Sequence, residues 1–403
     1  MNPLVLDGWG VRLRVNDIGA RSELWAIGGR QNNELGPMHI FRPRQLPYDS
    51  IVIESHSGYV SLQALHWLSR NDTPVFIMNY EGSIISSLLP PIPIMPHLRI
   101  AQIKAIDKPE TKFTIAQNLV QAKLARSIQV LDWLAESYDI KRELRATGNE
   151  AVKLSKATST TGLRTVEAHV AQRYWEAFRK CLPQRLGFKS RLTLSGNYNA
   201  SDPVNLALNY GYGFLQGEVR MAINSVGLEP AVGFLHDSAD YQTKESLVFD
   251  LMEPFRFLID LVVLQAFATG KLNSESFYFV ESDYRYMFEL EAKGRFLELL
   301  RNAFNSRISY HGKMLRWDTV IQEKAVELGR FLKGSTQTLA FEEPTVVFEK
   351  SDSKALKEAI ENLTTSQARG LGIGKSTLHY LRKRAAKQPF IRVYSKTRRK
   401  LKA

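Results

Sequence analysis

Cysteine is almost absent: the chain has 403 residues and one cysteine, Cys181. That excludes an intramolecular disulfide and any cysteine-rich zinc site, and it suits a reducing compartment such as the cytoplasm. Long apolar runs are missing too. The most apolar helical stretch, FRFLIDLVVLQAF at 255–267, carries Arg256 and Asp260 and is too short to span a bilayer. The first residues, MNPLVLDGWGVRLRV, lack a basic start followed by an apolar stretch, so no secretory signal is expected. Acids are missing from one end: none lies between 368 and 403, a stretch that holds 12 of the 54 Lys and Arg. The formal net charge of +13 is therefore concentrated in the tail, on a body close to neutral. Such a tail implies a polyanionic partner, and nucleic acid is favoured over membrane because lipid-anchoring motifs and a large apolar face are absent.

What is present is globular composition, 44% hydrophobic with mixed charge, and length enough for two or three domains. Residues 1–93 read as a small β domain. Val11, Leu13 and Val15 alternate with Arg12, Arg14 and Asn16, and IVIE at 51–54 and PVFIMN at 74–79 are short apolar runs. One helix, YVSLQALHWLSR at 59–70, interrupts them. The run Leu89–Pro90–Pro91–Ile92–Pro93 is a natural boundary. Residues 97–334 are patterned as helices, so the fold class expected is α+β, a β domain followed by an all-helical one. Within it, 112–136 repeats Ile115, Leu119, Ala122 and then Leu124, Ile128, Leu131, Leu134 at amphipathic spacing. Residues 136–160 are polar with no clear pattern.

Three stretches of the helical part carry candidate chemistry. GLEPAVGFLH at 227–236 uses turn-forming Gly227, Pro230 and Gly233 to deliver His236 from an apolar run. A helix then follows with Leu247, Leu251 and Phe255 on one face, and Asp250 and Glu253, three residues apart, point the same way. In 162–178, Glu167 shares a face with Val170, Ala171 and Tyr174. An imidazole and carboxylates beside apolar surface need compensation, and a divalent metal is one compensator. The plainer readings are a satisfied core histidine, a solvated acidic face, and a Glu167 that borders the core paired with Arg164. Between these stretches Asp202 and Pro203 should open a helix as N-cap and first residue. Its Tyr210-Gly211-Tyr212-Gly213 segment should loosen the helix or admit close packing.

The C-terminal part, 345–388, has helix-turn-helix patterning, with Leu356, Ile360 and Leu363, then Ala368 and Leu371, a turn around Gly372–Gly374, and Leu378 with Leu381. Its last helix would present Lys375, Ser376, Thr377, His379, Tyr380, Arg382, Lys383 and Arg384 to DNA. The basic tail 389–403, including Arg398 and Arg399, would order on phosphates. GLGIGKST is not a phosphate-binding loop: the glycine required five residues before Gly374 is Arg369, and no strand precedes it.

Glu167 with Ala171, Tyr174 and Trp175, then DPVNLALNYGYGFL, then GLEPAVGFLH, then SLVFDLMEPFR occur in the order seen in the CRISPR-associated spacer-acquisition integrases, the Cas-one family, which residues 1–330 resemble. The resemblance implies a homodimer formed through the β domains, a possible higher oligomer on DNA, and a Mg²⁺ or Mn²⁺ site. Carried over by motif, its ligands are Glu167, His236 and Glu253, with Asp250 a supporting acid. The implied reaction is attack of a DNA 3′-hydroxyl on a target phosphodiester. The appended helix-turn-helix and basic arm also resemble those of the casposases, transposon-encoded relatives that act on double-stranded DNA without the Cas-two partner. The expected function is casposase-type integration. The alternatives are a spacer-acquisition integrase working with Cas-two, a structure-selective nuclease, and a catalytically silent DNA-binding protein.

Overall fold

The computed structural model describes all residues except 1, 19–20, 32–33, 80–81, 91–94, 192–199, 201, 237–244, 282–284, 345, 347–359 and 388–403, and the side chains of 18, 21 and 384–387. The tail that holds Arg398 and Arg399 lies outside these, as does the greater part of the first C-terminal helix.

Among the described residues, eight strands open the chain: β1 Pro3–Asp7, β2 Val11–Ile18, β3 Arg21–Ile27, β4 Met38–Phe41, β5 Ser50–Glu54, β6 Gly58–Val60, β7 Val75–Met78 and β8 Ile84–Leu88. Helix α1, Leu62–Arg70, interrupts them, capped by Ser61, whose hydroxyl accepts from the Ala64 N–H. The strands form two four-stranded sheets, ordered β1-β5-β7-β8 and β4-β3-β2-β6. The alternation in β2 puts Val11 and Leu13 inside and Arg12 and Arg14 outside. Leu13, Leu24, Ile51, Ile53 and Val75 pack with Trp67 and Leu68 of α1 into one small core.

The first sheet is covered on both faces. Val52, Phe76 and Met78 point away from that small core and into the main one, which is built from helices. The helices are α2 Pro96–Ile106, α3 Pro109–Ala135, α4 Lys141–Ala151, α5 Thr160–Lys180, α6 Pro203–Val226, α7 Ser246–Met252 and α8 Arg256–Ala268. Hairpin β9 Phe277–Val280 with β10 Arg285–Phe288 precedes α9 Leu290–Asn305. Hairpin β11 Arg307–Tyr310 with β12 Lys313–Arg316 precedes α10 Trp317–Leu332. The polar stretch without a pattern is thus helical over α4, and a 3-10 turn, Val152–Lys156, follows it. Thr147 is fully buried there, whereas the remaining face is polar, which is why hydrophobic periodicity did not mark it.

Helix α6 is buried nearly all round and forms the axis of the helical body. Asp202 caps it as expected, accepting from the Val204 N–H at 3.0 Å and the Asn205 N–H at 2.8 Å. It runs unbroken through Tyr210–Gly213. These glycines serve close packing: a Cβ on Gly211 would stand 2.5 Å from Ile259, and one on Gly213 would stand 1.8 Å from the Gly82 carbonyl oxygen. A buried charge cluster fastens the sheet to the helices beside them. Lys293 of α9 lies 3.0 Å from Asp7 and 2.6 Å from Glu54, and the Tyr210 hydroxyl donates to Glu54 at 2.8 Å.

Gly213→Ala is expected to destabilise the fold by about 2 kcal/mol or more, because the Gly82 backbone cannot withdraw without moving β8. The urea unfolding midpoint measures it; an unchanged midpoint would refute the close-packing account.

Candidate functional site

The loop that follows α6 is fixed from three sides. Gly227 ends the helix at φ 82°, in the left-handed region that glycine tolerates. Buried Gln102 of α2 donates to the carbonyls of Glu229 and Val232 at 3.0 and 2.7 Å and accepts from the Glu229 N–H at 2.8 Å. Arg164 of α5 donates to the Leu235 carbonyl at 2.7 Å. Asp250 of α7 holds the end of the loop: its carboxylate accepts from the N–H groups of Phe234, Leu235 and His236 at 2.5, 2.9 and 3.0 Å. The same carboxylate meets His236 Nδ1 at 2.7 Å. A carboxylate acceptor places a proton on Nδ1 and leaves Nε2 to act. Gly233 is required at this point, since a Cβ there would lie 2.9 Å from Asp250 Oδ2.

The chain does not continue as one helix past Met252. Pro254 interrupts it, and Glu253–Phe255 forms a 3-10 turn before α8. Asp250 and Glu253 therefore do different things, where the sequence pattern had them sharing a face. Glu253, with 3% of its side chain exposed, turns toward α3 and lies 2.6 Å from Lys123 Nζ and 3.0 Å from Arg256 Nε. Lys123 also donates to Glu167 Oε1 of α5. One ammonium thus bridges the two carboxylates. The Arg164 partner envisaged for Glu167 serves the histidine loop instead.

The charges respond to this setting. Burial alone would push Glu253 up, but Arg256 and Lys123 bring it down to about 2. Burial would lower Lys123, yet Glu253 and Glu167 raise it above its ordinary value. For His236, burial is outweighed by Asp250, with Glu253 and Glu167 adding to the rise. Behind the pair, a cavity of about 250 Å³ is lined by Trp175, Arg191, Tyr212, Arg256 and Asp260. Tyr174 and Tyr212 donate to Asp260 at 2.8 and 2.5 Å, and burial pushes that acid up to about 6 despite them.

Three of the expected residues, Glu167, Glu253 and His236, with Asp250 behind the last, thus converge on one region from α5, the 3-10 turn and the loop. Among the described residues, no three His, Cys, Asp or Glu side chains are grouped closely enough to hold a metal ion. Lys123 stands where the two glutamates meet, and sequence reasoning missed it. Its signal was there: Lys123 sits seven residues after Ala116 and four after Leu119, on the apolar side of α3.

A family model described as CRISPR associated protein Cas1 matches residues 42–316. The chain belongs to the Cas1 family. The relatives include the CRISPR-associated endonuclease Cas1 1 of Archaeoglobus fulgidus, 28% identical over 305 residues that cover 70% of this chain and 86% of the relative. Among solved structures, a casposase bound to integration product is similar at 32% identity and a TM-score of 0.81, over 90% of this chain and 99% of that one. A CAS1 protein from Thermotoga maritima shares the fold at 17% identity and a TM-score of 0.67, over 82% of this chain and 97% of that one. The mixed architecture, strands first and helices after, is the Cas1 arrangement.

The Cas1 match stops before the C-terminal helices. There α11, Thr365–Gly370, and α12, Lys375–Lys387, are joined by a tight turn, with Ala368, Ile373 and Leu378 packed together. Lys375, Ser376, Thr377, His379, Tyr380 and Lys383 are exposed on α12. Arg382, also exposed, has contacts within the protein as well. It donates to the carbonyls of Ile360, Glu361 and Leu363, satisfying the end of the preceding helical segment.

Asp250→Ala would leave three loop N–H groups without their acceptor. The expected loss is about 3 kcal/mol of stability, with Asp250→Asn intermediate. Thermal unfolding checks this, and equal melting temperatures for all three proteins would show that the carboxylate does not hold the loop.

Proposed function

We propose that this protein joins a DNA 3′-hydroxyl end to a target phosphodiester in double-stranded DNA, acting as a casposase-type integrase. The observation that carries the reading is the likeness, along almost the entire length of both chains, to a casposase bound to integration product. The domains proposed on this reading are the β domain to residue 93, the helical catalytic domain 97–334, and an appended helix-turn-helix over 345–388. Edge strand β4, with Met38 and Ile40 exposed, offers the β domain a surface for a second copy.

The donor chemistry suits a divalent cation, with the Lys123 ammonium standing between the two glutamates. Two hard carboxylates, Glu167 and Glu253, already share one positive charge, and buried Glu253 Oε2 lies 2.6 Å from the ammonium but off the hydrogen-bond direction. Glu167, Glu253 and His236 Nε2 would hold Mg²⁺ or Mn²⁺, which would supply Lewis acidity to the phosphodiester and acidify the attacking hydroxyl. The chain's own groups do the rest. Asp250 fixes the imidazole in the tautomer that keeps Nε2 available, and Arg256 holds Glu253 ionised. In the strand transfer one P–O ester bond forms as another breaks, and the proton of the attacking hydroxyl ends on the departing one, so no external energy source is needed. The exposed face of α12 reads or grips DNA outside the catalytic site.

A second reading, spacer acquisition with a Cas2 partner, is favoured by the Archaeoglobus relative's name as a CRISPR-associated endonuclease. Purified protein, Mn²⁺, a supercoiled plasmid and a labelled duplex decide between them. Joining that needs no partner and depends on the duplex's terminal sequence supports the casposase reading; joining only with Cas2 and a CRISPR repeat supports the other. Hydrolysis without joining would leave a nuclease.

Glu167→Ala, His236→Ala and Glu253→Ala should each abolish strand transfer while DNA affinity stays within about threefold, the range of a neutral surface change. Full activity in any one removes that residue from the site. Lys383→Ala should weaken DNA binding evenly across sequences and lower the log–log salt slope by about 1. An unchanged slope would take α12 off the phosphates.

A further inference from the structure

Neither motif spacing nor family resemblance supplied Lys123. Its ammonium donates to Glu167 Oε1 and lies 2.6 Å from Glu253 Oε2, so it occupies the point at which carboxylates from α5 and the 3-10 turn meet. The lysine enters from α3, a third element, with 19% of its side chain exposed. Removing it would leave two acids facing each other beside an apolar core, since Arg256 lies against Glu253 Oε1, the other oxygen. A divalent ion bound by the same two carboxylates would need the same place. An ammonium and a metal ion cannot both occupy it.

We infer that Lys123 is a built-in counter-cation of the catalytic carboxylates, which a divalent ion must displace and which is thereby set free for a DNA phosphate. The inference rests on the reading of Glu167 and Glu253 as metal ligands. Its physical logic is competition. In the metal-free protein the lysine holds the two carboxylates close together and turned toward one point. Metal entry breaks both of its ion pairs and leaves an ammonium beside the reacting centre without an anion. An incoming phosphodiester supplies that anion, so Lys123 becomes a positioning residue for the target strand. Each ligand then favours the other, because metal binding releases the lysine that DNA needs and DNA retains the lysine that metal must displace. Lysine suits this better than arginine: a flexible chain with a compact charge changes partner readily, whereas a planar fork would clamp both carboxylates.

The test reads Mn²⁺ binding itself, by electron paramagnetic resonance of free Mn²⁺ and by calorimetry, on the full chain without DNA. Lys123→Met should tighten Mn²⁺ binding about tenfold, the scale of losing a charged competitor. It should also lower the melting temperature in EDTA and enlarge the upward shift caused by Mn²⁺. Lys123→Arg should weaken Mn²⁺ binding relative to the wild type, and this variant carries the test if Lys123→Met does not fold. Equal or weaker Mn²⁺ affinity in Lys123→Met, or unchanged affinity in Lys123→Arg, overturns the competition. If neither the wild type nor the variants bind Mn²⁺, and Glu167→Gln changes nothing, the metal reading of the carboxylates falls and the lysine's role falls with it.

Discussion

Two carboxylates beside an apolar core, Glu253 buried and Glu167 half-buried, need a counter-charge, and the arrangement of the helical body follows from that constraint. An isolated buried carboxylate would protonate or unfold its surroundings. Here Glu167 and Glu253 come from α5 and from the turn after α7, and α3 crosses both to place Lys123 between them. Arg256 completes the neutralisation one helical turn beyond Glu253. Three segments distant in sequence are thus held together by charges that none of them could bury alone.

The histidine loop is solved by a different device. The loop over 228–236 belongs to no helix or strand, and several of its N–H groups and carbonyls go to side chains: Asp250 below, Gln102 and Arg164 at the sides. Asp250 does two tasks with one group, since the oxygens that order the loop also orient the imidazole. His236 is consequently positioned before any substrate arrives. Rigid residues held by a supporting layer are what the proposed strand transfer would need, because it moves no more than a few atoms at one phosphorus.

The sheet-to-helix joint gives this site a stable base. Lys293, Asp7, Glu54 and Tyr210 link β1, β5, α6 and α9, while Gly213 lets α6 lie against the Gly82 backbone. Helices α11 and α12 stand apart from that economy of burial. Their small core needs no more than a few apolar residues, and the polar face of α12 is left exposed.

By itself, the sequence determined strands of the N-terminal domain through their alternation, the amphipathic helices through their period, the cap at Asp202, and, through motifs, the residues proposed for the site, Glu167, His236, Asp250 and Glu253. These are local signals, written in neighbouring residues. Tertiary structure decided the rest. Helix α4 has too polar a face to show a period, and the break at Pro254 separates Asp250 from Glu253, so that one holds a loop and the other faces α3. The place of Lys123 between two acids, and of Arg382 on a neighbouring segment's carbonyls, follows from contacts across 44 and about 20 residues of sequence. No spacing rule along a single element can express such contacts, because they exist only once the elements have packed.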